Sequence, residues 1–200
     1  MTTLKYLLVI VAGYLLGSIS VSILLSRAMP GGDVRAKGSG NAGATNMARV
    51  YGMKAGVLTL AGDMLKALLA TGLGWLLLGD NGLAVGGMAC ITGHCFPVFH
   101  RFKGGKGISV GATIGLVIDW RVFVFIVVVF LIAAFLSKKV SFGSVCAAIG
   151  VTAASLLFGV SIPRLILAAY SMVLAIFQHR ENIKRLIRGT EPDFKAADTK

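Results

Sequence analysis

The chain has 200 residues, is 56% hydrophobic, has a mean hydropathy of +0.83 and carries a formal net charge of +12. Long apolar runs separated by short polar breaks exclude a soluble domain and predict a single polytopic membrane domain over residues 1–200. The Lys and Arg residues lie in the breaks between the apolar runs, which argues against a nucleic-acid-binding groove.

Seven apolar runs are predicted to be transmembrane helices, which makes the fold class an all-α integral membrane protein. They cover residues 5–25, 54–78, 83–99, 108–118, 122–136, 140–160 and 162–177. The fourth and fifth runs are shorter than the roughly 20 residues that a crossing helix needs. Merging them would place Asp119 and Arg121 near the middle of the bilayer, where charges are costly, so residues 119–121 are predicted to form an interfacial turn.

The distribution of Lys and Arg predicts how the seven spans are oriented. With seven spans, most basic residues fall on one side, and only Lys5, Arg121 and Arg164 fall on the other. Basic loops mark the cytoplasmic side, so the N-terminus is predicted outside and the C-terminus in the cytoplasm. Six spans would leave the basic C-terminal segment outside. Residues 190–200 are polar and are predicted to be a flexible tail.

The first inner loop, residues 37–49, combines small residues with polar side chains. Its candidate ligand groups are Gly38, Ser39, Gly40, Asn41, Thr45, Asn46 and Arg49. Glycines let the backbone approach a ligand, and successive N–H groups can hold an anion. An arginine fork is suited to phosphate. The pattern predicts a phosphate site, and the alternative is a flexible connector.

The second inner loop, residues 93–107, ends in a basic and glycine-rich segment directly before an apolar run. The segment consists of Lys103, Gly104, Gly105, Lys106 and Gly107. Backbone amides, a helix N-terminus and two ammonium groups would converge there on an anion. The GxxxxGK[ST] spacing is absent, so nucleotide hydrolysis is not predicted. The alternative is a glycine hinge carrying ordinary cytoplasmic charge.

The third segment, residues 178–191, follows the last apolar run. At helical spacing His179 and Asn182 share a face, as do Glu181 and Arg185. The alternative is a basic amphipathic helix lying on acidic lipid, and that alternative does not require His179.

Asp63 and Lys66 stand three residues apart within the second apolar run. Ionisable residues inside a membrane are functional candidates, and the alternative is a neutralised pair that fixes helix packing. We find no Cys, His, Asp and Glu cluster at metal-ligand spacing, so neither a metal nor another cofactor is predicted. The three cysteines are read as small buried hydrophobes.

Taken in order, the three loops resemble those of the bacterial membrane acyltransferases of the PlsY type. The matching residues are Gly38-Ser39-Gly40-Asn41-x-Gly43-Ala44-Thr45-Asn46-x-x-Arg49, Gly93-His94-x-Phe96-Pro97 with Phe102-Lys103-Gly104-Gly105-Lys106-Gly107, and His179-Arg180-Glu181-Asn182-Ile183-x-Arg185-Leu186 with Gly189 and Glu191. Ser109, and Gln178 in place of an expected lysine, depart from the family pattern.

The resemblance implies an enzyme of the bacterial cytoplasmic (inner) membrane whose active site faces the cytoplasm. It would transfer a fatty acyl group from acyl phosphate to the sn-1 hydroxyl of glycerol 3-phosphate, giving lysophosphatidic acid and phosphate. This is the first acylation step of phospholipid biosynthesis. The expected partners are glycerol 3-phosphate, long-chain acyl phosphate and membrane lipid, with no nucleic acid and no obligate protein partner.

Roles can then be assigned to the candidate residues. The expected catalytic residues are Ser39, Arg49, Lys106 and His179. The expected substrate-binding residues are Gly38, Gly40, Asn41, Thr45, Asn46, Lys103, Gly104, Gly105, Gly107 and Asn182, with support from Asp63, Lys66, Glu181 and Arg185.

Within this set, Ser39, Asn41, Asn46 and Arg49 are expected to hold glycerol 3-phosphate. Lys103, Lys106 and the amides of the second loop are expected to hold acyl phosphate. Ser39 is expected to donate a hydrogen bond rather than act as a nucleophile. His179 and a phosphate oxygen of the donor are the two candidate bases. The rival readings are a transporter for a phosphorylated solute, which would place polar residues at the bilayer midplane, and a structural membrane subunit.

Overall fold

The structure, a computed structural model, describes residues 1–193, and over that range its regular elements are all helices. The helices are α1 (Thr2–Ser18), α2 (Val21–Arg27), α3 (Ala44–Tyr51), α4 (Met53–Cys95), α5 (Ile108–Ile118), α6 (Trp120–Ser137), α7 (Val140–Leu157), α8 (Ile162–Gln178) and α9 (Arg180–Ile187), with 3-10 turns at Val34–Ala36 and Val98–His100. The prediction of an all-α fold is confirmed.

The long helix α4 reverses direction at Gly79, where the backbone has φ 60° and ψ −145°. The two arms then pack closely, since a Cβ added at Gly86 would lie 2.5 Å from the carbonyl oxygen of Ala70. The Sγ atom of Cys90 lies 3.9 Å from the carbonyl oxygen of Lys66. Helix α4 is therefore a hairpin whose arms cover residues 53–78 and 80–95.

The first predicted span contains a break. Helix α1 ends at Ser18, and extended backbone at Ile19 and Ser20 precedes α2. The ammonium group of Lys66 donates to the carbonyl oxygens of Gly17 and Ile19, at 3.0 and 2.8 Å. Because an unpaired carbonyl is costly away from water, these bonds make the break tolerable.

Four segments of the described chain are long and apolar enough to cross a membrane, and the α8–α9 pair, bent by 61°, raises the number to five. They are Thr2–Arg27, Met53–His100, Trp120–Ser137 and Val140–Leu157. This number is lower than the predicted seven because the α4 hairpin counts once and α5 has only 11 residues. Only 11% of the α6 residues are buried within the protein, as expected for a helix that is surrounded by lipid.

One end of the helix bundle is closed by Arg164 of α8. Its guanidinium contacts Asp80, beside the α4 reversal, at 2.9 Å and the last carbonyl of α5, Ile118, at 2.7 Å. The three long loops lie at the opposite end, where Arg35 of the first loop donates to the carbonyl oxygens of His100 and Lys103 at 3.2 Å. The polar segments that the sequence singles out therefore meet at one end of the fold.

The first residues of the predicted tail contact the rest of the protein. Glu191 is buried and forms an ion pair with Arg185 at 2.7 Å, and Asp193 contacts Lys139 at 2.6 Å. The remainder of the predicted tail, residues 194–200, lies outside the described residues.

Candidate active site

The first loop is organised around the side chain of Asn46, which is only 1% exposed. Its Oδ1 atom accepts from the amide of Ser39 at 2.9 Å, and its Nδ2 atom donates to the carbonyl oxygens of Val34, Lys37 and Asn41. Its amide is occupied by the loop itself. We therefore revise Asn46 from a substrate ligand to the residue that shapes the loop and presents Ser39.

The arginine that joins the first two loops, Arg35, is held by Asp33 at 2.7 Å. Hydrogen bonds from the Arg35 side chain lower the pKa of Asp33 to about 2, although burial acts in the opposite direction. The pair therefore stays charged at neutral pH. Arg35 is not among the predicted site residues, because its partners His100 and Lys103 are more than 60 residues away in the sequence.

The glycine loop of the second segment rests directly on His94. The amide of Gly105 donates to the carbonyl oxygen of His94 at 3.0 Å, and a Cβ at Gly105 would lie 2.6 Å from the ring carbon Cε1. A Cβ at Gly104 would lie 2.6 Å from Pro97 Cδ. These glycines are required because the backbone packs against neighbouring atoms where side chains have no room.

His94 is in turn fixed by the Asp63–Lys66 pair. Lys66 Nζ donates to His94 Nδ1 at 3.0 Å and lies 2.9 Å from Asp63 Oδ1, while Ser109 donates to Asp63 Oδ2 at 2.8 Å. Asp63 and Lys66 are 2% and 4% exposed. The pair therefore lies beneath the glycine loop, and the supporting role expected for it stays a prediction.

Gln178, which departs from the family pattern, also holds this loop. Its Nε2 atom donates to the carbonyl oxygen of Gly105 at 3.2 Å. The neutral amide therefore serves as a donor at the position where a lysine is expected.

Lys106 lies at the centre of the site. Its ammonium group donates to Asn182 Oδ1, and Asn182 Nδ2 donates to Glu191 Oε1 at 2.7 Å. Burial, together with the nearby charge of Arg185, lowers the pKa of Lys106 to about 8. Burial alone would raise the pKa of Glu191, but hydrogen bonds that include those from Asn182 and Arg185 lower it instead.

His179, at the bend between α8 and α9, is 3% exposed. Its Nδ1 atom lies 2.8 Å from the carbonyl oxygen of Ala175. A carbonyl can only accept, so Nδ1 carries the proton and Nε2 is left as an acceptor. This tautomer is the one that a general base requires.

A cavity of about 350 Å³ is lined by Lys106, His179, Asn182 and Glu191, among other residues. Its polar end comprises Ser39, Asn41, Thr45, Asn46, Arg49, Lys106, Gly107, His179, Asn182, Arg185 and Glu191. Beyond them the walls are mostly apolar or small and comprise Ile108, Gly111, Ala112, Ile126, Val127, Phe130, Ala147, Ala148, Val151 and Ala175. The cavity can thus hold an anionic group at one end and an alkyl group at the other.

A second, more open cavity of about 440 Å³ adjoins the polar end. It shares Ser39, Asn41, Lys106, Asn182 and Arg185 with the first cavity and adds Gly40, Lys103, Gly104, Gly105 and Glu181. Of the predicted site residues, Gly38, Asp63 and Lys66 line neither cavity among the described residues. Gly38 packs against Asn46 and Val50.

Several cavity residues were not predicted. Glu191, assigned to the tail, carries the bonds to Asn182 and Arg185, and Ser109 and Ser141 also line the first cavity. The signals for Glu191 were its match to the third loop of the family pattern and its position just after a basic helix. Within residues 1–193, no group of three or more His, Cys, Asp and Glu side chains could hold a metal ion.

Known proteins are similar to this chain in both sequence and fold. The family model described as Glycerol-3-phosphate acyltransferase matches residues 7–189. The chain belongs to this family. The resemblance drawn from the three loops is thereby confirmed.

Relatives and solved structures of the family cover almost the whole chain. The glycerol-3-phosphate acyltransferase of Bacillus subtilis (strain 168) is 39% identical over 188 residues, covering 94% of this chain and 97% of the relative. That of Finegoldia magna is 38% identical, with the same shares covered.

Two crystal structures of PlsY (YgiH), an integral membrane glycerol 3-phosphate acyltransferase, share the fold. The glycerol 3-phosphate form has a TM-score of 0.90 and 34% identity, covering 95% of this chain and 96% of that one. The lysophosphatidic acid form has a TM-score of 0.88 and 33% identity, covering 95% of each chain. The protein is accordingly an integral membrane glycerol-3-phosphate acyltransferase.

Proposed function

We propose that this acyltransferase uses acyl phosphate as its donor and acylates the sn-1 hydroxyl of glycerol 3-phosphate. The observation that carries the proposal is the shape of the 350 Å³ cavity, which joins a cationic end to an apolar end. An acyl phosphate has the same two parts, a phosphate head and an alkyl chain. The neighbouring opening provides room for a second, smaller phosphate compound.

The donor phosphate is assigned to the glycine loop and its two lysines. Lys106 is held by Asn182, Lys103 lines the outer opening, and the first turn of α5 lines the cavity directly after Gly107. Helix N-terminal amides favour an anion. These groups would neutralise the charge that develops on the departing phosphate.

Glycerol 3-phosphate is assigned to the first loop, with Arg49, Ser39 and Asn41 as ligands. All three residues line the first cavity. Asn46 acts indirectly, because it positions the amide of Ser39.

The reaction needs no covalent enzyme intermediate, since phosphate is already a good leaving group. The hydroxyl oxygen of glycerol 3-phosphate attacks the acyl carbonyl carbon, the bond from that carbon to the phosphate oxygen breaks, and phosphate leaves with the electron pair. The hydroxyl proton passes to His179 Nε2 or to a phosphate oxygen of the donor. The protein contributes position, charge and a proton acceptor.

We further propose the seven-span topology, with the site at the cytoplasmic face of the bacterial inner membrane. The α4 hairpin supplies two spans from one helix, and the basic loops gather at the end opposite the Arg164 contacts. The polar cavity groups also cluster at that end. This favours an enzyme at the interface over a transporter, whose binding site would lie at the midplane.

The decisive experiment incubates the purified protein, in lipid, with radiolabelled glycerol 3-phosphate and palmitoyl phosphate. We expect labelled lysophosphatidic acid to form. Palmitoyl-CoA, tested in parallel, is expected to give none. Product from palmitoyl-CoA alone would overturn the donor assignment, and no product from either donor would overturn the activity.

A further inference from the structure

Helix α5 contains two glycines, Gly111 and Gly115, whose surroundings differ. A Cβ at Gly115 would lie 2.7 Å from Ile126 Cδ1 of α6, so this glycine permits close helix packing. A Cβ at Gly111 would meet no heavy atom of the described residues within 4 Å. Gly111 instead lines the first cavity.

Neither packing nor backbone conformation explains Gly111. It lies inside a regular helix and is not among the described glycines with positive φ. Glycine in a helix interior is about 1 kcal/mol less favourable than alanine. What glycine provides at this position is empty volume on the cavity wall.

The depth of Gly111 follows from its neighbours. Ile126 of α6 has one side-chain atom 2.7 Å from the position of a Cβ on Gly115 of α5 and another 3.6 Å from that of a Cβ on Gly150 of α7. These three residues therefore lie at one depth. Gly111 lies one helical turn closer to the polar end, about level with Ala147, which is roughly 9 Å along α7 from Ser141 at 1.5 Å per residue.

The cavity continues past this level to Val151 and Ile126. Two serines on its walls are satisfied by their own helices: Ser144 donates to the Val140 carbonyl at 2.9 Å and Ser171 to that of Leu167 at 2.6 Å. Because hydroxyls bonded in this way present little polarity, the deep part of the cavity suits an alkyl chain.

We propose that Gly111 determines which acyl chains the enzyme accepts. Its missing side chain leaves the cavity open at the level of Ala147, so that a long alkyl chain can pass toward Val151. A larger side chain would close the cavity at that level and confine the enzyme to short acyl groups. This inference rests on the proposed function, because the alkyl chain is that of the acyl donor.

The test compares Gly111→Leu and Gly111→Ala with the wild type, using butanoyl, octanoyl and palmitoyl phosphate as donors. We expect Gly111→Leu to lower kcat/KM for palmitoyl phosphate by about tenfold or more relative to butanoyl phosphate. Gly111→Ala should shift the same ratio in the same direction by less. KM for glycerol 3-phosphate should stay unchanged.

Gly72→Leu is the matched control. Gly72 also lies within a helix, a Cβ there meets no described heavy atom within 4 Å, and it lines neither cavity among residues 1–193. In Gly72→Leu, the ratio of kcat/KM for palmitoyl phosphate to that for butanoyl phosphate should equal the wild-type ratio. An equal loss of kcat/KM with all donors in both Gly111 variants would overturn the inference, and so would an unchanged ratio between the donors. If Gly111→Leu does not fold, Gly111→Ala keeps the test decisive. A wild type that uses none of the acyl phosphates would refute the proposed function instead.

Discussion

His179 shows how one backbone contact can set the chemistry of a side chain. The carbonyl oxygen of Ala175 accepts a hydrogen bond from Nδ1–H, at 2.8 Å, and Nε2 is thereby kept as an acceptor in a residue that lines the cavity. Residue type and helical spacing led to the prediction of His179 as a site residue, and His179 lines the cavity. The tautomer depends on the bend that follows α8, which the sequence pattern did not predict.

We expect His179→Ala to lower kcat by about 10²–10⁴-fold, the usual contribution of a general base, while KM for glycerol 3-phosphate changes little. Steady-state kinetics with palmitoyl phosphate would measure both constants. His100→Asn is the control, because His100 is a buried histidine that lines neither cavity among the described residues. A kcat close to that of the wild type would assign the proton to the donor phosphate.

The lowered pKa of Lys106 leads us to predict that kcat/KM for acyl phosphate depends on pH. Burial lowers its pKa to about 8, so the ammonium form dominates at neutral pH and is lost as the pH rises past about 8. We expect kcat/KM for acyl phosphate to fall over that range, because the neutral amine no longer attracts phosphate.

The pH profile of kcat/KM, which reports groups of the free enzyme, checks this prediction. Lys106→Arg should remove the fall near pH 8 even if its activity is lower, since arginine stays protonated. If kcat/KM of Lys106→Arg falls at the same pH and by the same factor, the fall arises from the titration of another group.

At the scale of elements, the glycine loop and α4 form one structural unit. Gly104 and Gly105 pack onto Pro97 and His94, and His94 is held by Lys66 of the other α4 arm. The glycines, the lysines and the helix start are visible in the sequence, and the prediction of an anion site rests on them. That the loop rests on a buried histidine was not visible, because it depends on how the α4 arms pair.

We expect Gly105→Ala to displace the loop from His94 and to lower kcat/KM for acyl phosphate by about 100-fold, the usual result of moving a reacting group by about 1 Å. The thermal stability of the purified protein should change less than its activity. Gly72→Ala, which adds the same methyl group to open space, is expected to leave kcat/KM unchanged and to raise the thermal stability slightly, because alanine is the better helix former. Activity near the wild-type level in Gly105→Ala would show that the loop tolerates displacement.

At the scale of the whole molecule, the topology can be tested through the polar ends of α6. Cysteines introduced in place of Arg121 and Lys138 are predicted to lie outside and in the cytoplasm, respectively. In intact cells, a membrane-impermeant maleimide should label Arg121→Cys and leave Lys138→Cys unlabelled, with the reverse in inside-out vesicles.

This experiment needs a background free of accessible native thiols. Cys90 and Cys95 are buried and Cys146 is half-buried, so Cys146→Ser is the parent in which labelling is measured. Labelling of both positions from the same side would contradict a crossing by α6 and, with it, the seven-span count.

The sequence by itself determined the membrane class, the all-helical fold, the family and most of the charged groups at the site. These follow from local properties, namely apolar run length, the placement of basic residues and the residue types of three loops. Arg49, Lys106 and His179 were predicted on this basis, and all three line one cavity.

Only the tertiary structure decided how the polar groups divide their work. Asn46 is occupied by its own loop, Arg35 joins two loops, and Glu191 completes the contacts around Lys106 and Arg185. The empty wall at Gly111 likewise exists only where α5, α6 and α7 meet. Arg35 and the wall at Gly111 depend on groups brought together from distant parts of the chain. Asn46 and Glu191 bond to residues within 12 positions, but these bonds depend on how the loops fold back, which is a property of packing rather than of a local pattern.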